Sequence, residues 1–226
     1  MNLIRVIPAK GGNLTYSERS FSRERFCFGN NLNSMKEKLT RATVGIAGLG
    51  GLGSTVAVAL ARTGIGTLIL VDFDKVEPDN LNRQQYFTDQ IGRNKVDALT
   101  ENLRRINPEV GLVGHKEKLT AENIPAIFAS ADVIAECFDK AQQKQMLVET
   151  VLTKMQRTVV VSVTGLAGYG NSNAIRTRRV NDRLMVVGDG ETGIDTQPVL
   201  TAARVGIAAC HQANAIIEVL VDEIIK

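Results

Sequence analysis

Residues Thr43 to Gly53 read TVGIAGLGGLG, and the chain continues as STVAVALART from Ser54 to Thr63. Thr43 to Ala47 is a short apolar run containing β-branched residues, the pattern of a buried strand. Gly48, Gly50 and Gly53 fit the Gly-x-Gly-x-x-Gly spacing, with Gly51 a further glycine inside the turn. Where side chains are missing, backbone amides and a helix N-terminus can approach a phosphate. With Ser54 to Thr63 read as the helix, the order is strand, turn, helix; alone it identifies only a nucleotide-binding turn.

Working outward, Gly64 and Gly66 end that helix, and Thr67 to Val71 is a second buried strand. Asp72 closes this strand, where an acid accepts hydrogen bonds from a ribose hydroxyl pair. Phe73 to Gly92 is polar and reads as a long functional loop. Val96, Leu99, Leu103 and Ile106 give helical spacing over Arg93 to Ile106, stopped by Asn107-Pro108. Strands are then expected at Val110 to His115, Asp132 to Cys137 and Thr158 to Val163, with helices at Ala121 to Ala129 and Ala141 to Met155. Such alternation predicts an α/β fold, a doubly wound, Rossmann-like, mostly parallel sheet. Ala174 to Val180 and Arg183 to Val187 read as a hairpin around Asn181-Asp182, an antiparallel C-terminal edge. A long apolar helix, Thr201 to Ile225, follows. Residues 1–40 are read as an N-terminal helical extension, with a helix at Leu32 to Leu39, and 41–226 as one domain.

Composition narrows the class. The 226 residues are 44% hydrophobic and carry a formal charge of +3, with acids interleaved among the bases. No basic run marks a nucleic-acid surface, and Arg176, Arg178 and Arg179 read as a solvated strand face. Cys27, Cys137 and Cys210 are far apart and odd in number, which predicts a reducing, cytoplasmic setting without disulfides. No signal-peptide core or membrane span is expected.

GLGGLG is followed in order by LVDFDKVEPDNLNRQ (Leu70 to Gln84), GRNK (Gly92 to Lys95) and ECFDK (Glu136 to Lys140). This series resembles that of ThiF, MoeB, HesA and the ubiquitin-activating enzymes. GLAGYGNSNAIRTRRV, VGDG and RVGIAACHQAN look like the shorter ThiF subfamily, described as ThiS adenylyltransferases. The resemblance implies ATP-dependent adenylylation of the C-terminal carboxylate of a small sulfur-carrier protein ending in Gly-Gly, in thiamine thiazole biosynthesis. It also implies Mg2+ and a homodimer. A carboxylate attacking the α-phosphate brings two anions together, so cations and a metal are needed there.

By the resemblance, Arg83 and Lys95 bind phosphates, Asn80 helps position them, and Asp139 holds the metal. Asp72, Asp74 and Gln84 join the nucleotide site. Lys140 stands where relatives have Asn, and Glu136 where they have Asp. Relatives reach the partner subunit's ATP with an arginine from an N-terminal helix; Arg23 and Arg25 are candidates, Arg25 the favoured one. Larger relatives carry two CxxC pairs for structural zinc; these are absent here, and zinc is not expected. Cys210 is expected to be a buried small hydrophobe rather than a sulfur-relay thiol, and Cys137 likewise is not expected to relay sulfur. His115 and His211 are too isolated for a ligand pair, and His211, Gln212 and Asn214 read as hydrogen-bonded side chains. An NAD(P)-dependent oxidoreductase would share the glycine turn and Asp72 but leaves Arg83, Lys95 and Asp139 unexplained as a set. A non-catalytic relative is the other alternative. Which carrier is activated, whether thiazole-pathway, molybdopterin-type or peptide, has no readable code.

Overall fold

The structure is a computed structural model that describes residues 33–193 and 199–222. The chain divides between Ser34 and Met35. Arg23, Arg25 and Cys27 lie outside the described residues, as does most of the expected extension.

A helix through residues 33–41 (α1) leads into β1, Thr43–Ala47. The chain then alternates: α2 (Gly51–Thr63), β2 (Thr67–Val71), α3 (Lys95–Ile106), β3 (Gly111–His115), α4 (Ile124–Ile127), β4 (Val133–Glu136), α5 (Ala141–Lys154) and β5 (Val159–Val163). A hairpin of β6 (Arg176–Asn181) and β7 (Leu184–Gly188) precedes α6, Ala202–Asp222. The seven strands lie in the order β3-β2-β1-β4-β5-β7-β6. All neighbours are parallel except β6 and β7. The hairpin's second strand therefore continues the parallel sheet, and only β6 makes the antiparallel edge.

Strand periodicity sorts the core onto two faces. Val44, Ile46, Leu68, Leu70, Val133, Val159 and Val161 join α2, α3 and α6 in one cluster. Ile69, Val71, Ile134 and Val160 face Ile124, Phe128, Leu147 and Val151 of the α4–α5 side. Gly45 makes room on this second face, since a side-chain carbon there would meet the Phe128 ring 2.5 Å away.

Helix α2 begins at Gly51, inside the glycine turn, rather than at Ser54 as expected from the sequence. The first turn needs no propensity of its own, because buried Leu52, Val56 and Leu60 tie the helix to the sheet. Helix α6 is long and apolar enough to cross a membrane by length and composition, which the sequence reading did not anticipate. Its Val205, Ala208, Ala209, Ile216 and Val219 are instead core residues. Strand β1 runs outward to β2 on one side and is flanked by β4 on the other. The strand order reverses between β1 and β4, and sheets of this kind bind ligands outside the carboxyl ends of the strands at such a point.

Candidate active site

The glycine turn follows β1 at that reversal point and is held from three sides. Gly48 adopts φ +92°, a conformation that disfavours other residues. A side-chain carbon at Gly53 would run into the Gly48 carbonyl oxygen, so turn and helix close on each other. Asp72 Oδ2 accepts the Leu49 N–H at 2.7 Å, and the Tyr86 hydroxyl donates to the Leu49 carbonyl at 2.8 Å. Ser54 Oγ donates to the Gly50 carbonyl at 2.6 Å and accepts the Gln85 N–H at 3.1 Å. Burial, then the charges of Asp72 and Asp74, push the Tyr86 phenol far above its ordinary value, so it stays a neutral donor. The Gly50 cap of α2 has no side-chain hydrogen bond, which leaves first-turn amides for an anion.

The loop after β2 folds over this turn. Asp72 Oδ1 accepts the Asp74 N–H at 2.8 Å, so both oxygens of the expected ribose ligand already order backbone; each keeps a lone pair for a sugar hydroxyl. Asn80 is buried, and its Oδ1 accepts the Glu77 N–H at 3.2 Å, closing a one-turn 3-10 helix at Pro78–Asn80. The Asn80 carbonyl accepts the N–H groups of Arg83 and Gln84. Arg83 is thereby laid on the turn, its Cγ 3.4 Å from where a Gly51 side-chain carbon would be. Its guanidinium donates to the Asp79 carbonyl and Asn82 Oδ1 and has no carboxylate partner among the described residues. Gln84 is buried with its Oε1 unpartnered. Lys95, first residue of α3, is buried and places Nζ 3.1 Å from Asp74 Oδ2.

Asp139 enters from β4. A side-chain carbon at Gly48 would lie 3.2 Å from the Cys137 carbonyl oxygen, so the turn after β4 abuts the glycine turn. Asp139 is exposed, precedes α5 and makes no hydrogen bond or ion pair among the described residues. The structure thus gathers Gly48, Gly50, Gly51, Gly53, Asp72, Asp74, Asn80, Arg83, Gln84, Lys95 and Asp139 at one end of the sheet.

No group of three or more His, Cys, Asp or Glu that could hold a metal occurs among the described residues. The Asp139 carboxylate, without a partner among the described residues and close to the uncapped N-terminus of α2, nevertheless fits Mg2+, which is commonly held by one or two carboxylates together with substrate phosphates.

Two partners of the glycine turn escaped the sequence reading. Tyr86 and Ser54 latch the turn, and both flank motifs already singled out. Glu136 is fully buried and accepts from Phe138 N, Ser162 Oγ and Lys144 Nζ. Gln212 donates to the carbonyls of Glu136 and Val161. Cys137 is buried against Gln212; burial, then the Glu136 charge, push its thiol well up, which keeps it protonated. Cys210, expected buried, is exposed, because the core face of α6 passes through Ala209 and Gln212 on either side of it. His211 meets Thr177 Oγ1 at 3.1 Å, and His115 lies 3.5 Å from Glu117.

The sulfur carrier protein ThiS adenylyltransferase of Escherichia coli is 35% identical over 134 residues, 59% of this chain and 53% of that protein. The adenylyltransferase and sulfurtransferase uba4 of Aspergillus niger is 42% identical over 116 residues, 51% of this chain and 24% of that protein. This chain therefore spans about half the length of one relative and about a quarter of the other. Among solved structures, E. coli tRNA N6-threonylcarbamoyladenosine dehydratase in complex with ATP has a TM-score of 0.77 at 20% identity, covering 89% of this chain and 96% of that one. At that identity the likeness is one of fold. The motif series and the site it builds meet their family match over residues 22–224, and the chain belongs to the ThiF family.

Proposed function

We propose that this chain is an ATP-dependent adenylyltransferase acting on the C-terminal glycine carboxylate of a small ubiquitin-like sulfur carrier. The carrier is ThiS-like and ends in Gly-Gly, and the reaction releases pyrophosphate within thiamine thiazole formation. The carrying observation is the uncapped N-terminus of α2 framed by Arg83, Lys95 and Asp139, with Arg83 and Asp139 lacking an opposite charge to neutralise them among the described residues. Such an arrangement favours a ligand that brings both phosphates and a cation.

In this reading the α2 amides, Arg83 and Lys95 hold the triphosphate and offset charge as the carrier carboxylate approaches the α-phosphate. Lys95 exchanges part of its contact with Asp74 for phosphate. Asp72 takes the ribose, Asp74 joins the nucleotide site, and the exposed Asp139 carboxylate would hold Mg2+. When bound, the metal supplies charge neutralisation for the departing pyrophosphate. The enzyme acts as a homodimer in the cytoplasm, with Arg25, or Arg23, reaching the partner's nucleotide.

Incubating the chain with ATP, Mg2+ and a Gly-Gly carrier is expected to add one AMP to the carrier's C-terminus, seen by intact-mass spectrometry. A carrier lacking its last glycine should remain unmodified. Tight NADH binding with no adduct on any Gly-Gly carrier would contradict the proposal.

A further inference from the structure

We infer that Glu136 is a positioning residue for Asp139, setting the turn that presents the metal-holding carboxylate; this rests on the role proposed for Asp139 above. Glu136 ends β4 and is completely shielded from solvent. Its Oε1 accepts the Phe138 N–H at 2.7 Å, bending the backbone one residue before Asp139. Its Oε2 accepts the Ser162 hydroxyl at 2.6 Å, and Lys144 Nζ lies 3.1 Å from both oxygens. Ser162 belongs to β5 and Lys144 to α5, so the carboxylate ties the turn to a neighbouring strand and to the helix that Asp139 precedes. From the opposite face of the sheet, Gln212 of α6 fixes the Glu136 carbonyl at 3.0 Å.

A buried charge so completely matched is a costly way to fill space, and apolar residues of similar volume commonly do as well for stability. What an apolar residue cannot do is accept the Phe138 N–H. Asp139 has no hydrogen bond of its own among the described residues, so its place is set by the backbone on either side of it. Groups that orient a metal ligand typically govern metal affinity by about 10- to 100-fold.

The test is the tightening of ATP binding by Mg2+, measured by calorimetry as the ratio of Kd in EDTA to Kd in Mg2+. Glu136→Met is expected to cut this ratio by about 10-fold while leaving metal-free ATP binding unchanged. Asp139→Asn should abolish the tightening, and the double variant should match Asp139→Asn alone, since one residue acts through the other. Glu136→Asp, whose shorter carboxylate still reaches the N–H two residues on, should recover most of the ratio. If Glu136→Met does not fold, Glu136→Gln is read in its place, with a smaller loss in the same direction. Unchanged tightening in the folded Glu136 variant, with Asp139→Asn defective, overturns this inference alone. So does an equal loss of metal-free binding, or a double variant worse than Asp139→Asn. Full tightening in Asp139→Asn overturns both this inference and the metal role of Asp139.

Discussion

Two glycine-rich turns in this chain are each organised by an aspartate, and they are finished in opposite ways. In the first, Asp72 accepts the N–H groups of Leu49 and Asp74. In the second, Asp189 accepts those of Glu191 and Thr192 and the Thr192 hydroxyl. The second turn then receives an internal cation: Arg204 of α6 lies 2.6 Å from Asp189, with both side chains almost wholly buried, and also donates to the Gly170 carbonyl. In the first turn no cation pairs with Asp72 among the described residues: Lys95 goes to Asp74 instead, Arg83 and Asp139 have no opposite charge beside them among those residues, and the α2 amides are uncapped. One turn completes itself and ties the segment after β7 to α6. The other stays incomplete, and in the proposed function an anion with its metal completes it.

This contrast can be broken first at its closed end. Arg204→Met should destabilise the chain by about 3–5 kcal/mol in urea unfolding, because it strands a buried carboxylate. A loss under about 1 kcal/mol would mean that the second turn does not depend on its cation. Burial alone would raise the Asp189 carboxyl, but the Thr192 and Glu191 hydrogen bonds and Arg204 outweigh it and hold the carboxyl below its ordinary value. Its contribution is thus present above the unfolded carboxylate pKa and lost as pH falls through the lower folded value. Acid unfolding of Arg204→Met should accordingly begin at higher pH than in the wild type.

A smaller effect is expected at the open turn. Tyr86→Phe removes one buried hydrogen bond to Leu49 and should cost about 1 kcal/mol by the same measurement. Smallest is Arg83→Ala, an incompletely buried cation without an ion pair among the described residues, which should shift stability by no more than about 0.5 kcal/mol. A large destabilisation by Arg83→Ala would recast this residue as a structural staple like Arg204 and erase the contrast.

The open turn was the legible one. Its glycines, acids and cations form contiguous motifs, and β1 and β2 fall on the expected residues because β-branched apolar runs end sharply at glycine and aspartate. The closed turn was not legible: Asp189 and Arg204 stand in different segments, and only the packing of α6 brings them together. The same holds for Glu136, noticed in the sequence as a departure from relatives, whose partners Lys144 and Ser162 come from α5 and β5. Cys210 was misplaced because a helix with small residues all round does not show by composition which side is covered; the structure exposes it.

The central claim is that the open turn binds ATP in order to activate a carrier carboxylate. Exchange of labelled pyrophosphate into ATP, with and without a Gly-Gly carrier, tests it most directly. The wild type should exchange only when the carrier is present. Arg83→Ala, Lys95→Ala and Asp139→Asn should each lower that rate by about 10²-fold or more while remaining folded. Wild-type exchange in all three folded variants, or no exchange with any Gly-Gly carrier, would contradict the account.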